Sequence, residues 1–524
     1  MSTDYSALSA AEIDEEERRI DAALDLVNYN RDSVYNVPGY RPVRQELTHA
    51  PVRVSGELPV DLEGVYLRNG TNVQFDDSHV RLHAFSGAGM IHQIQITGGA
   101  ATYSNTYVRT PRFEAERAAG REIYPDFSDM TSGKSGLDRI LLTEEKIRRG
   151  LIPNLDNYER TPGSTSIRYH HGRLYCLQET GYAFVLDARV EDGRLVLDGS
   201  GNHETWSGEW EGPFSAHPRV NPDNGDVYNI SVEPSGQIIA GLISKGELAA
   251  QAAVHQQTEE TGGEMGWLHD FFLTEHYMVF PDSSVRRDAK GLAGPEGSVF
   301  RYDRDYRMRW GVIPREFGPD TGVRWFTTEQ IGMVWHVINA WERTAGDGST
   351  EIVLYSPAFP SYPSSVPIHT PEEPPAQVRT WVLNLDSGET TDDRLLIDHG
   401  YERPSLNLGY VGRPSRYCYL LDEHGDGYMG KGVLKYDLID EKEVAYLDYG
   451  DMYGGEALFV RKPSATSEDD GYLVDLLMDD HRAELIVIDA KDMQELARLH
   501  LPQRVPFGVH ATWLEPDEIA TLAG

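Results

Sequence analysis

The sequence predicts an all-β protein, a propeller with decorated loops, on three observations. A short apolar strand, an Asp or Asn, a turn and a second strand recur as one unit. These units are spread over several hundred residues at irregular spacing, and helical stretches between them are few. The unit is read in Phe184-Val185-Leu186-Asp187, Val299-Phe300-Arg301-Tyr302-Asp303 and Val382-Leu383-Asn384-Leu385-Asp386. It returns in Val433-Leu434-Lys435-Tyr436-Asp437 and Leu485-Ile486-Val487-Ile488-Asp489. Polar turn residues follow, among them Asp192-Gly193, Ser387-Gly388, Asp437 to Lys442 and Ala490-Lys491. A set of stacked sandwiches would meet the same pattern.

Taken in chain order, residues 9–28 read as an amphipathic helix. Ser9 and Glu12 form a capping box, and Ile13, Ile20, Leu24 and Val27 share one face, which is expected to pack on the body of the protein. The chain is β-rich from about residue 50. Leu137, Ile140, Leu141, Glu144, Ile147 and Leu151 sit at helical spacing, and segment 137–152 could offer an apolar face to a membrane, although its charges oppose this. The Pro-rich stretch 356–376 and the run Ser464 to Asp470 read as exposed loops. Residues 1–44 are expected to form an acidic helix and lead-in, and 45–524 a single propeller domain with its cap.

Composition narrows the function. With 84 acidic and 48 basic side chains the formal charge is −36, which opposes nucleic-acid binding and docking on anionic lipid. The two cysteines, Cys176 and Cys418, have no metal or disulfide spacing. The N-terminus lacks an apolar signal region and no run of 18 apolar residues exists, so the cytoplasm is the expected compartment.

Four of the 18 histidines have unusual neighbours. His217 follows Phe214-Ser215-Ala216, and His269 stands between Trp267-Leu268 and Asp270-Phe271. His336 lies in Met333 to Ile338, and His510 in Phe507 to Trp513. A lone histidine is more often a surface or satisfied core residue, but an imidazole in an apolar stretch needs partners. Their wide spacing excludes a zinc finger or an HExxH helix, whereas the inner strands of a propeller converge on one axis. Four neutral imidazoles suit Fe(II) in oxygen activation better than Mg or Ca, which favour oxygen ligands. Glu179, Glu402 and Glu456 also stand in largely apolar surroundings. They could orient such ligands, or could be surface acids.

These residues resemble the carotenoid cleavage oxygenases, a family that includes carotenoid-, apocarotenoid- and stilbene-cleaving enzymes. The resemblance runs over roughly residues 45–515, through Gly64 to Gly70 (GVYLRNG), Phe85 to Met90 (FSGAGM), Tyr103 to Thr110 (YSNTYVRT) and all four histidine contexts. It implies a seven-bladed β-propeller under a dome of loops and short helices. It implies one Fe(II) per subunit held by His217, His269, His336 and His510, with Glu179, Glu402 and Glu456 orienting three of them. Thr165 resembles the threonine whose methyl sits near an open iron position. The implied reaction splits a conjugated C=C bond with O2 into two carbonyl products, which calls for a redox metal and a dry tunnel rather than an acid–base residue. Phe214, Trp267, Phe271, Trp335 and Phe507 are candidates for the tunnel wall, although packing alone would also account for them.

The chain departs from the family's pattern in three places. Arg68 to Val73 reads RNGTNV where RNGPNP is usual, and Ser86 to Met90 reads SGAGM where DGDGM is usual. Stilbene-cleaving members carry a Lys before the first Glu, for a phenolate; this chain has Gln178. A carotenoid or apocarotenoid is therefore the expected substrate, with a stilbenoid or phenylpropenoid as the alternative. A propeller that binds lipids or partners without catalysis is the reading from another class. No oligomeric state is implied.

Overall fold

The computed structural model describes residues 4–28, 38–75, 85–254, 265–287, 289–295, 297–360, 375–423 and 429–522. Most of the expected Pro-rich loop, 361–374, and the side chain of Val27 lie outside them.

The fold is all-β and propeller-like, with few helices. Five separate sheets are four-stranded antiparallel meanders. They begin with the strands Ser166–His170, Arg219–Val220, Phe272–Leu273, Asn339–Thr344 and Tyr401–Ser405, and each of these lies at one edge of its sheet. Seven separate blades are the expectation; five are found. The reason is the strand Ala50–Gly56. It pairs with Glu495–His500 on one side and Ala100–Tyr107 on the other. A single nine-stranded sheet results, with Leu458–Arg461 at one edge and His510–Leu514 at the other. A small three-stranded sheet, Met265–Gly266, Val285–Arg287 and Phe300–Tyr302, is inserted beside the third meander.

The recurring sequence unit has a physical basis. In the strands ending at Asn384, Asp437 and Asp489, the terminal side chain turns back to accept backbone N–H groups of the following turn. Asn384 Oδ1 takes Asp386 and Ser387, Asp437 Oδ1 takes Ile439 and Asp440, and Asp489 Oδ1 takes Lys491 and Asp492. The unit is thus the third strand of a meander, its turn and the outer strand. The run Val299 to Asp303 is the exception, since Phe300–Tyr302 belongs to the three-stranded insertion. Third strands such as Ala483–Asp489 are buried almost throughout, while outer strands such as Lys442–Asp448 are largely exposed. Bulges interrupt the third-to-outer pairing at Leu186/Ala188, Val382/Leu383, Lys435/Tyr436 and Val487/Ile488, adding the twist that wedge-shaped sheets need.

The two longest helices lie together as a cap. Helix α1 (Ala10–Asn28) starts with the expected capping box: Ser9 N–H donates to Glu12 Oε2 at 2.7 Å, and Glu12 N–H to Ser9 Oγ at 3.4 Å. After the short α2 (Pro111–Ala119) comes α3 (Gly133–Arg148), onto which α1 packs through Ile13, Ile20 and Leu24 against Leu141 and Leu142. Glu17 pairs with Arg121 and Lys146, and Asp21 with Arg139. The other side of α3 sends Leu137 and Ile140 into an aromatic cluster with Trp267, Phe300 and Trp335. The apolar face of α3 is therefore covered within the chain. Among the described residues no helix is long and apolar enough to cross a membrane.

Candidate metal centre

Seven edge strands carry the residues singled out in the sequence. Thr165 immediately precedes Ser166–His170, and His217 lies just before Arg219–Val220. His269 and His336 each stand three residues before the edge strands Phe272–Leu273 and Asn339–Thr344. Glu402 belongs to Tyr401–Ser405, Glu456 precedes Leu458–Arg461, and His510 opens His510–Leu514. Residues nearly 300 positions apart meet because each sits at the same end of an innermost strand.

His217, His269 and His510 are buried and His336 is partly buried, and their ligand atoms lie within 4.8 Å of one another. Nε2 of His217 is 3.1 Å from Nε2 of His269, and Nε2 of His336 is 3.1 Å from Nε2 of His510. Behind three of the rings stands a carboxylate. His269 Nδ1 donates to Glu179 Oε1 at 2.8 Å, His336 Nδ1 to Glu402 Oε2 at 2.5 Å, and His510 Nδ1 to Glu456 Oε1 at 3.2 Å. An Nδ1 that donates outward leaves Nε2 as a bare lone pair pointing inward. For His336 and His510 two such lone pairs then face each other at 3.1 Å, a repulsive contact unless a cation lies among them. An ion about 2.1 Å from each nitrogen would separate adjacent ligand atoms by about 3 Å. The donor set fits a divalent metal.

Electrostatics agree. Burial, and then the neighbouring imidazoles, hold His217 and His510 well below the usual imidazole range. Burial lowers His336 to about 3. These rings are neutral, as ligands must be. His269 differs: burial opposes its protonation, but the attraction and hydrogen bond of Glu179 outweigh burial and raise it. Burial also raises Glu402, to about 7, and Glu456. A dication placed among the rings would stabilise both as carboxylates.

Residues that the sequence did not single out hold this arrangement. Asp270 accepts the N–H groups of Phe271 and Val337 at 2.7 and 3.0 Å and pairs with Arg219, tying the His269 loop to that of His336. Asp475 accepts the N–H groups of Gly455 and Glu456, each at 3.1 Å. Gly454 leaves room for it, because a Cβ there would lie 2.3 Å from Asp475 Oδ2. Arg403 has a φ of 41°, and a bulge between Glu402 and Ser405 turns the Glu402 side chain toward His336. Arg403 is ion-paired with Glu423. Each of these buried polar groups serves backbone geometry, so only a pattern of paired polar residues on different strands could have marked it.

A cavity of about 290 Å³ opens beside the histidines, reaching His269, His336, His510 and Thr165. Trp267 and Trp335 line it. Phe214 and Phe271 do not: Phe214 packs with Trp206 and Trp210, and Phe271 lies in the core with Phe280 and Ile313. Phe507 borders a small neighbouring cavity with Thr165 and packs on Tyr40. The sequence missed Phe85, Phe127, Phe300 and Phe359, which complete the aromatic wall. Gln178 also lines the cavity, its carbonyl accepting the hydroxyls of Thr161 and Thr180 at 3.1 and 3.2 Å.

Comparison with known proteins places this centre in context. The retinal pigment epithelial membrane protein family matches residues 40–515. Carotenoid 9,10(9',10')-cleavage dioxygenase 1 of Arabidopsis thaliana is 28% identical over 503 residues, covering 92% of this chain and 89% of that protein. The structure of Pseudomonas brassicacearum lignostilbene dioxygenase has a TM-score of 0.76 at 23% identity and covers 93% of this chain and 99% of its own. A variant of Synechocystis apocarotenoid oxygenase gives 0.74 at 24% identity, with 91% and 98% covered. At these identities the two structures speak for a shared fold. With a family match over nearly its whole length and four clustered histidines at the hub of its sheets, the chain is a member of the carotenoid cleavage oxygenase family and a dioxygenase.

Proposed function

We propose that the protein holds one Fe(II) per subunit through His217, His269, His336 and His510. With O2 it cleaves a conjugated C=C bond of an apolar polyene, a carotenoid or more closely an apocarotenoid, into two carbonyl products. The observation that carries this reading is the meeting of four Nε2 atoms at a cavity walled by aromatic side chains. When bound, a ferrous ion supplies the redox chemistry that brings O2 into reaction with an alkene. The protein's own residues position and exclude. Glu179, Glu402 and Glu456 fix three rings, Thr165 borders the cavity beside them, and Trp267, Trp335 and Phe300 keep an apolar chain dry. At about 290 Å³ the cavity is at the small end of ligand sites, which favours a shortened apocarotenoid over a full-length carotenoid. We also read the nine-stranded sheet as two blades fused through Ala50–Gly56, which makes seven with the five separate ones. Supporting this, both of its edge strands carry site residues, as each separate blade's edge strand does.

The test is anaerobic reconstitution with Fe(II), then incubation in air with an apocarotenal and, separately, a hydroxystilbene. Bleaching with two aldehyde products from the apocarotenal is expected. Aromatic aldehydes from the stilbene alone would move the substrate to that class. Absence of iron uptake would overturn the assignment.

A further inference from the structure

The cavity has two unlike walls. One is aromatic, from Phe85, Phe127, Phe300, Trp335 and Phe359. The other is polar and is built by Gln178, Thr180, the turn Ser231 to Gly236, and Arg287. A hydrocarbon would need only the first.

The charged side chains of this lining have a hydrogen-bond or ion-pair partner with one exception among the described residues, although the partner of Glu233 is a neutral hydroxyl. Glu179 and Glu402 are bonded to His269 and His336, and Glu423 to Arg403. Glu233 accepts the Ser235 hydroxyl at 3.0 Å. Arg287 is different. Its strand Val285–Arg287 is paired on both sides, with Met265–Gly266 and with Phe300–Tyr302, so its position is fixed. Its side chain is half-buried and, among the described residues, has no acceptor within hydrogen-bond or ion-pair distance. Burial is the largest influence on it and disfavours its charge; the more distant Glu179 and Tyr158 oppose that effect. In a chain with 84 acidic residues, a partly desolvated guanidinium with no carboxylate beside it among the described residues leaves a place for a ligand that supplies the counter-charge. Ser231 adds a second observation. It is 4% exposed, its Oγ has no partner, and it lines the same cavity.

We propose that Arg287, with Ser231 as a neutral second donor, receives the carboxylate of an acidic alkene substrate, a polyene or arylalkene with its acid at one end. This inference rests on the reading of the cavity as the alkene site and names its substrate class. The planar fork of a guanidinium matches two carboxylate oxygens, which a single phenolate oxygen does not offer. The aromatic wall takes the apolar remainder of the same molecule. The acid end thereby sets which double bond lies beside the histidines.

The test is equilibrium binding, so it does not depend on turnover. A fluorescent conjugated tetraene fatty acid and its methyl ester are titrated into the iron-loaded protein. The acid is expected to bind at least about 10-fold tighter than the ester, the size of one charged hydrogen bond. Arg287→Gln should bring the two within about 2-fold while leaving ester affinity unchanged, and Arg287→Lys should keep part of the preference. Ser231→Ala should weaken the acid by several-fold only. Equal affinity of acid and ester in the natural protein, or an undiminished preference in Arg287→Gln, overturns the proposal. Acid-selective binding without cleavage of any alkene would instead sink the proposed chemistry and leave this site standing.

Discussion

Two sectors of the metal centre are built on different principles. In one, the rings of His269, His336 and His510 are each held from behind by a carboxylate. In the other, His217 is held through its backbone. Its N–H donates to Ser215 Oγ at 3.0 Å, Ser215 N–H donates to Asn229 Oδ1 at 2.9 Å, and Ser166 Oγ donates to the Ala216 carbonyl at 2.6 Å. The second sector orders the loop and leaves the ring without an anion behind it. The difference concerns charge. Three carboxylates, two of them buried, already exceed what one dication balances, and a fourth would add a further desolvated negative charge. A neutral hydroxyl–amide scaffold gives position without charge.

The contrast can be broken most severely at a ring itself. His269→Ala removes a ligand and leaves Glu179 facing a gap, so bound iron and turnover should both fall by more than about 1000-fold, read by metal analysis and single-substrate kinetics. Next in size, Glu402→Gln keeps the shape but loses the anion. Iron affinity should fall about 10- to 100-fold in a chelator competition, with an unchanged far-ultraviolet spectrum. An unaltered affinity would make Glu402 an ordinary buried acid.

The sectors also differ in their response to pH. Glu179 raises the metal-free His269, and a protonated ring cannot ligate. As pH falls through the titrations of His269 and Glu402, iron affinity should decline with a slope of one to two protons, and above them affinity should be flat. His336, held near 3, adds no slope between about pH 5 and 8. An iron affinity that does not change with pH across that range would contradict this.

On the scaffold side the effects should be smaller. Ser215→Ala is expected to cost about 1 kcal/mol in denaturant unfolding, with iron affinity changed only a few-fold. Outside both sectors, Cys176 and Cys418 are buried and burial raises their thiols well above the usual range, so neither should react with a thiol reagent until the protein unfolds.

Much of this centre was legible in the sequence because isolated polar residues in apolar strands are conspicuous. His217, His269, His336 and His510 each interrupt a hydrophobic run that the fold later buries, and the recurring Asp or Asn at strand ends carries its own turn. The cavity wall was not legible. Phe214 and Phe271 stand next to ligands in sequence, but their side chains turn into the cores between sheets. Phe85 and Phe127 come from segments that carry none of the four site histidines, and only the fold brings them in. Pairing of Ala50–Gly56 with Glu495–His500 spans more than 400 residues, so local patterning held no trace of the nine-stranded sheet. Arg287 was equally silent, since its distinction is the absence of a partner among the described residues, visible only in three dimensions.

The last ligand to leave the ribosome stands on the strand His510–Leu514, which docks against Gly64–Asn72 from the beginning of the sheets. Completion of the four-histidine set and of this edge pairing therefore both await residues 510–514, late in biosynthesis. A message truncated shortly before codon 510 would yield a chain that keeps the strand Glu495–His500 but lacks the fourth histidine and the edge strand that carries it.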